Sequence, residues 1–185
     1  MQGILRVCVF LGCCMTMLTA SAAEPNGVFS LIDQRLSYMK DVAGYKAAHR
    51  LPIEDLAQEE QVLKQVMAEA EKKGIDPQSI KPFFIASINA AKAIQYRYLA
   101  DWLSNPATGW EPRSLDKIRP EIASLSQQLI AEIYALLASG AKIDNSEQVR
   151  FMDIVHQLNL SDGDKIHIFA ALQSIRLIDN KPANH

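Results

Sequence analysis

The sequence predicts an all-α protein of six helices. From residue 28 onward, apolar residues recur every three or four positions, which is the spacing of one helix face. Capping residues, glycines and prolines divide the chain into segments of helical length, and no segment alternates apolar and polar residues as a strand does. The 185 residues carry a formal net charge of −2, which argues against a nucleic-acid partner because such proteins need clustered basic residues.

The first 23 residues have the features of a secretory signal peptide. Arg6 supplies a positive charge, residues 7–19 form a mostly apolar run, and small residues follow before Glu24. The run is shorter than the roughly 20 apolar residues that span a bilayer, so we expect cleavage before Glu24 and no membrane attachment afterwards. A periplasmic or secreted location and a single domain at residues 24–185 follow from this expectation.

The first helix is predicted for residues 28–49. Pro52 interrupts the pattern, because the residue before a proline is disfavoured in α-helical conformation. Asp55 is expected to cap the second helix, and Gln58 three residues later completes the pattern of a capping box. This helix continues to Gly74, a residue type that often ends helices in left-handed conformation.

The third helix is predicted to begin at Asp76-Pro77, since proline is favoured at the first helical position. A loop follows at residues 105–114, which contain two prolines and a glycine and show no periodicity. The fourth helix is predicted for residues 115–138, where apolar residues again recur at helical spacing. The long third and fourth helices should therefore supply most of the core.

Two shorter helices complete the predicted bundle. Asn145 or Ser146 is expected to cap the fifth helix, which is predicted to run through Leu158. The sixth should begin after Ser161 and end near Leu177.

Three polar residues fall on helix faces that are otherwise apolar. Arg35 and Lys46 are eleven residues apart, close to three helical turns, on the apolar face of the first helix. Gln95 lies on the apolar face of the third predicted helix. A buried charge without a partner is costly. Either the two cations lie at the edge of the apolar face, where they extend to solvent or pair with Asp33 or Glu59, or they hold a small anion inside the bundle.

Other chemistry is sparse in this sequence. The three cysteines lie within the predicted signal peptide, and the four histidines lack the spacing of metal ligands. No phosphate-binding glycine loop and no Gly-x-Ser-x-Gly motif is present. We therefore expect no metal, no cofactor and no nucleophile. Interior cations and amides can still bind and orient an anion.

Several features of the sequence occur together in a recognisable order. They are Arg35, Lys46, the Leu51-Pro52-Ile53-Glu54-Asp55 segment, Glu59, the break at residues 74–77 and the run at residues 91–96. In these features the chain resembles the secreted, all-helical chorismate mutases of the AroQ class. The resemblance spans about residues 28–137 and implies the AroQ six-helix bundle. It also implies an isomerase that rearranges chorismate to prephenate by a pericyclic shift, without a covalent intermediate or a cofactor.

The resemblance also implies a role for each site residue. Lys46 and Gln95 would donate hydrogen bonds to the ether oxygen, where negative charge builds in the transition state. Arg35 would pair with a substrate carboxylate. Asp55 and Glu59 would receive the ring hydroxyl and brace the cations. In the periplasmic subclass one chain forms its whole site, and two chains commonly pair into a homodimer.

Three positions depart from the family pattern. The family often has arginine where this chain has Gln58 and Gln128, and serine or threonine where it has Ala91. Both glutamines remain predicted substrate-binding residues, but two fewer cations should weaken the binding of a dianion. Nearby candidates to compensate are Arg50, Lys92 and Arg97.

These departures keep an alternative open. The chain could be a non-catalytic periplasmic helical protein that binds an aromatic dianion or a protein partner. Binding of prephenate would separate the first of these from the second, and turnover of chorismate would separate the enzyme from both.

Overall fold

The computed structural model describes residues 24–179, which form a bundle of helices. The predicted all-α class is confirmed over this range, apart from one isolated bridge between Ile75 and Leu177. The predicted signal peptide lies outside the described residues. The helices are α1 (Asn26–Ser37), α2 (Met39–Ala48), α3 (Leu56–Lys73), α4 (Pro77–Ser104), α5 (Leu115–Ala138), α6 (Gln148–Ile154) and α7 (Asp162–Gln173).

The predicted boundaries of the second and third helical segments are confirmed, because local capping chemistry sets them. Asp55 Oδ1 accepts a hydrogen bond from the Gln58 backbone N at 3.1 Å, at the start of α3. Gly74 ends α3 with φ of +96°, in the left-handed region that favours glycine. Asp76 then caps α4, accepting from the Gln78 backbone N at 2.8 Å.

The first predicted helix is divided in two at Tyr38, between α1 and α2. The loop at residues 105–114 packs against this part of the molecule. A Cβ atom at Gly44 of α2 would lie 2.6 Å from the Trp110 ring, so only glycine allows the loop to sit this close. Lys40 lies over the same ring, with Nζ 4.5 Å from its centre. The loop therefore leads the chain back across α2 before α5 begins.

The fifth predicted helix is shorter than the periodicity indicated. It was predicted through Leu158, but α6 ends at Ile154. Beyond that point the His156 backbone N donates to Asp33 Oδ1 at 3.0 Å, and Gln157 Nε2 donates to Asp33 Oδ2 at 2.7 Å. These contacts with α1 hold the chain out of helical conformation.

The cap of this segment also differs from the prediction. Asp144, rather than Asn145 or Ser146, caps a 3-10 turn at Asn145–Glu147 that leads into α6. Its carboxylate accepts from the Ser146 backbone N at 2.8 Å and from the hydroxyl of the same residue at 2.6 Å. Ser146 therefore donates to the cap instead of forming it.

The sixth predicted helix begins as expected, with Ser161 as the cap of α7, and ends at Gln173 rather than near Leu177. The following residues pair with the α3–α4 junction, where the Ile178 backbone N donates to the Gly74 carbonyl at 2.8 Å. Backbone pairing with a distant segment therefore replaces the last helical turn.

The bundle core is made of apolar and aromatic side chains from most of the helices. Helix α4 packs against α2, α3 and α7, while α1 packs against α5. Phe29, Phe151 and Phe169 form one aromatic cluster at the α1, α6 and α7 contact, with Phe29 and Phe151 ring centres 5.1 Å apart. Among residues 24–179, no helix combines the length and the apolar character needed to cross a bilayer.

Candidate active site

A cavity of about 850 Å³ lies between helices α1 to α5, and each of these helices contributes to its lining. The cavity brings together six of the seven site residues predicted from sequence, from three separate predicted segments. These six are Arg35, Lys46, Asp55, Gln58, Glu59 and Gln95.

Arg35 of α1 is buried beside the cavity, with 7% of its surface exposed. Its Nε donates to Ser126 Oγ at 3.0 Å, and its guanidinium carbon lies 5.5 Å from the centre of the Phe84 ring. Burial lowers the pKa of Arg35 to about 10, so the side chain remains charged at neutral pH. Within residues 24–179, no carboxylate lies within 4.0 Å of it.

Lys46 of α2 is buried to the same extent as that arginine. Its Nζ donates to the Ile53 carbonyl at 2.6 Å, and no ion pair to it is formed within the part of the chain that the structure describes. Burial lowers the pKa of Lys46; Asp55 and Glu59 oppose this shift, and Arg119 adds to it. The ammonium therefore lies in a setting that favours the approach of an anion.

The two cations do not pair with the carboxylates considered from sequence. Asp33 accepts hydrogen bonds from the segment that follows α6. Glu59 Oε2 instead pairs with Lys92 Nζ at 3.0 Å. Of the two arrangements left open above, edge pairing with these carboxylates is thus not the one observed, and both Arg35 and Lys46 line the cavity.

Two acceptor atoms at the cavity have no hydrogen-bond partner in the structure. Gln95 is 4% exposed; its Nε2 donates to the Ala91 carbonyl at 3.0 Å and lies 3.5 Å from Met39 Sδ. Gln95 Oε1 and Glu59 Oε1 are both buried and unpartnered. Most buried polar atoms in proteins have a partner, and both residues line the cavity, so these two oxygens can accept a hydrogen bond from a group placed there.

Arg119 of α5 is a cavity residue that the sequence analysis missed. Its Nη2 lies 3.1 Å from Asp55 Oδ2, so it joins the start of α3 to α5 at the side of the cavity. Helical spacing could have found it, because Ile122 and Ser126 follow it at three and seven residues and line the same cavity. Arg119 was passed over because only apolar residues were assigned to the inner face of this helix.

Gln128 is the predicted site residue that the structure does not bring to the cavity. It is exposed, and its Nε2 donates to Ser124 Oγ at 3.3 Å. Its neighbour Gln127 lines the cavity instead. Adjacent residues of an α-helix point about 100° apart, so an error of one position moves a side chain off the relevant face.

Of the three cations considered as replacements for family arginines, only one lines the cavity. Lys92 lines the cavity and pairs with Glu59. Arg97 points elsewhere and binds Asp164 across the α4–α7 contact, with Nη1 2.6 Å from the carboxylate. Arg50 is exposed after the end of α2 and does not line the cavity.

The charges around the cavity favour an anionic ligand. Cationic side chains exceed carboxylates in the lining by two, which matches a ligand with two negative charges. Over residues 24–179, no group of His, Cys, Asp or Glu side chains is arranged to hold a metal ion. The cationic lining residues are Arg35, Lys46, Lys72, Lys92 and Arg119, and the carboxylates are Asp55, Glu59 and Glu69.

Comparison with known proteins shows that the chain is similar to the members of one family. Residues 26–96 match the family described as chorismate mutase type II. The chain is 45% identical to the secreted chorismate mutase of Yersinia pestis over 86% of each chain. It is 39% identical to the monofunctional chorismate mutase of Enterobacter agglomerans, over 85% of this chain and 87% of that one.

A solved structure shows the same similarity at the level of the fold. The crystal structure of the secreted chorismate mutase from Yersinia pestis superposes with a TM-score of 0.76 and 46% sequence identity. The match covers 81% of this chain and 97% of that chain. The bundle described above therefore has the fold of that protein over nearly its whole length.

Proposed function

The chain belongs to the chorismate mutase family, and on that premise we propose that the cavity between α1 and α5 is where it rearranges chorismate to prephenate. The protein is thus an isomerase. The observation that carries the assignment to this cavity is the pair of buried cations, Arg35 and Lys46, neither of which has a carboxylate within 4.0 Å among residues 24–179. Chorismate is a dianion, and it would supply the missing negative charge.

Lys46 and Gln95 are proposed as the donors to the ether oxygen of the substrate. The rearrangement forms one carbon–carbon bond as the ether bond breaks, so charge develops on that oxygen and no nucleophile or proton transfer is needed. Lys46 Nζ has two hydrogens beyond the one it gives to Ile53. One amide hydrogen of Gln95 is shared only with a sulfur atom, a weak acceptor, and can turn to a stronger one.

Arg35 and Arg119 are proposed to bind the two carboxylates. Arg35 has both Nη groups available, which suits bidentate contact with a carboxylate. Arg119 keeps its contact with Asp55 at 3.1 Å, so it is braced in place at the side of the cavity. Together the two guanidiniums would fix the ends of a flexible substrate, and holding the compact conformer supplies part of the rate enhancement.

Glu59 and Gln58 are proposed to contact the remaining polar groups of the substrate. Glu59 Oε1 is buried without a partner, while its Oε2 is held by Lys92, so one oxygen is oriented and the other can accept the ring hydroxyl. Gln58 lines the cavity beside it and offers neutral amide hydrogens. Asp55 acts through Arg119 and through the cap of α3.

The test is a turnover assay on the chain that begins at Glu24, beside Lys46→Ala. Loss of chorismate absorbance gives the rate, and acid conversion of prephenate to phenylpyruvate identifies the product. We expect kcat/KM to fall about a thousandfold in Lys46→Ala, because a donor aimed at developing charge contributes about 3–4 kcal/mol. Lys64→Ala, an exposed lysine of α3 outside the cavity, is the matched control and should retain full activity.

Two other outcomes have clear meanings. A Lys46→Ala protein with near-normal kcat/KM would contradict the placement of the site. A folded wild-type chain without turnover that still binds prephenate would make the protein a non-catalytic binder of an aromatic dianion.

The protein is proposed to act outside the cytoplasm, after cleavage before Glu24. Its relatives named as secreted support this location. Mass spectrometry of the protein recovered from the periplasm or medium would give the cleavage site directly.

A homodimer is also proposed. Leu103 and Tyr96, exposed by 86% and 50% on α4, are candidate contact residues. Light scattering would test it.

A further inference from the structure

We propose that Ser126 is a positioning residue that fixes the orientation of the Arg35 guanidinium and leaves its two Nη groups for a substrate carboxylate. The inference rests on the proposed function, in which Arg35 binds that carboxylate. Ser126 lies on α5, 91 residues away from Arg35 in the sequence, and is 4% exposed. It lines the same cavity as Arg35.

The direction of the hydrogen bonds at Ser126 follows from its single hydroxyl hydrogen. Ser126 Oγ donates to the Ile122 carbonyl one helical turn earlier, at 2.8 Å. The oxygen is then left as an acceptor, and it accepts from Arg35 Nε at 3.0 Å. The backbone of α5 therefore sets the rotation of the serine, and the serine sets the position of the guanidinium.

The contact uses the one guanidinium nitrogen that leaves the terminal fork intact. With Nε held by Ser126, the Nη1 and Nη2 groups remain together at the end of the side chain. The Phe84 ring lies 5.5 Å from the guanidinium carbon and adds a second constraint. A long side chain such as arginine loses conformational entropy when a ligand fixes it, and a side chain already held in place loses less of it.

A hydroxyl suits this role because it is neutral. A carboxylate at the position of Ser126 would also orient Arg35, but it would neutralise the positive charge that the substrate requires. The serine orients the cation and leaves its charge unbalanced. This accounts for a buried arginine that has a well-defined hydrogen bond and yet no ion pair within residues 24–179.

The experiment compares Ser126→Ala with Ser126→Thr, with Ser124→Ala as the control on the exposed side of α5. Threonine keeps a hydroxyl that can donate to the preceding turn. We expect Ser126→Ala to raise KM for chorismate about tenfold with kcat within about twofold, because the carboxylate is bound equally in the ground and transition states. Ser126→Thr should restore most of the affinity, and Ser124→Ala should match wild type.

Two further measurements do not depend on turnover. Calorimetry should show the same roughly tenfold weakening of prephenate binding in Ser126→Ala. In nuclear magnetic resonance spectra, the Arg35 Nε–H signal should exchange slowly with water in wild type and Ser126→Thr, and rapidly in Ser126→Ala. A serine that serves only helix packing would lower the melting temperature without these changes.

The results separate failure of this inference from failure of the proposed function. If Arg35→Ala raises KM and Ser126→Ala does not, the positioning role of Ser126 is overturned while the role of Arg35 stands. Equal effects of Ser126→Ala and Ser126→Thr would also overturn it, since the hydroxyl would then be irrelevant. If wild type shows no turnover, the proposed function fails, and prephenate affinity with the Arg35 Nε–H signal still decides the role of Ser126.

Discussion

The cavity and the contact between α4 and α7 differ in the hydrogen-bond partners of their buried or partly buried cations. At the α4–α7 contact, Arg97 Nη1 donates to the Asn159 carbonyl at 2.7 Å and to Asp164 at 2.6 Å. In the cavity, Arg35 and Lys46 have one hydrogen bond each to a neutral oxygen. Arg97 is thus paired with a carboxylate where it joins two helices, whereas Arg35 and Lys46 lack such a partner where a ligand would bind.

The comparison indicates how the same bundle separates stability from function. A paired, partly exposed cation stabilises the fold, whereas a buried cation without a carboxylate costs free energy until an anion arrives. Enzymes commonly keep such destabilising groups at their active sites. The following substitutions test whether the two regions differ in this way, beginning with the largest expected effect.

Gln95→Glu places a titratable group among the unpartnered atoms of the cavity. At low pH the protonated carboxyl can still donate to the ether oxygen, so activity should be retained. As pH rises through the pKa of the new carboxyl, kcat/KM should fall about tenfold per pH unit and by about a thousandfold in all. The measurement is the pH profile of kcat/KM beside wild type. A profile that does not change with pH would contradict the role of Gln95.

Arg35→Met removes the buried guanidinium from the cavity and keeps an apolar side chain. Because burial opposes the charged form, we expect the free energy of unfolding to rise by about 1–3 kcal/mol. We also expect kcat/KM to fall about a hundredfold, since a charged contact with the substrate is lost. Denaturant unfolding and turnover measure the two effects. A destabilised Arg35→Met protein would show that this cation is structural.

Arg97→Met is the same substitution at the α4–α7 contact, and the opposite result is expected. It removes the Arg97 donor to the Asn159 carbonyl and leaves the Asp164 carboxylate with only its hydrogen bonds from Ser161, so the free energy of unfolding should fall by about 1–2 kcal/mol. The kcat/KM of the folded protein should stay within about twofold of wild type. If turnover fell strongly while stability did not change, the two regions would not differ as described.

Substitution of Asp164 should have the smallest effect on the free energy of unfolding, and this effect should depend on pH. Burial acts to raise its pKa, but hydrogen bonds from Arg97 and Ser161 outweigh burial and lower the pKa below the ordinary value. The folded pKa lies below the unfolded one of about 3.9, so this stability is present above pH 4 and is lost as pH falls through the folded pKa. Asp164→Asn should therefore lose stability at neutral pH and show a weaker decline between pH 4 and 2. An unchanged acid transition would contradict this.

Sequence predicted the fold best where local chemistry decides the structure. The α3–α4 junction follows from Asp55, Gly74 and Asp76, each of which acts within its own turn. The end of α6 could not be predicted from local sequence, because it depends on a hydrogen bond from the His156 backbone N to Asp33 of α1. Such a contact joins residues that only the folded structure brings together.

The site was predictable where a polar residue interrupts an apolar face. Arg35, Lys46 and Gln95 were found because each costs free energy in a buried position unless something compensates. Arg119 was missed because it lies on an amphipathic helix where an exposed arginine is ordinary. The assignment of Gln128 rested on the family resemblance alone, without a signal from helix periodicity, and the structure places this side chain outside the cavity.

The cavity lining draws on every helix from α1 to α5. Its side chains come from between residues 35 and 130, so the lining is complete only when these five helices are packed together. Ligand binding should therefore be lost together with the fold on denaturation, instead of surviving in a partly unfolded intermediate. A bound ligand would in turn raise the melting temperature of the whole bundle, since it binds only the folded state.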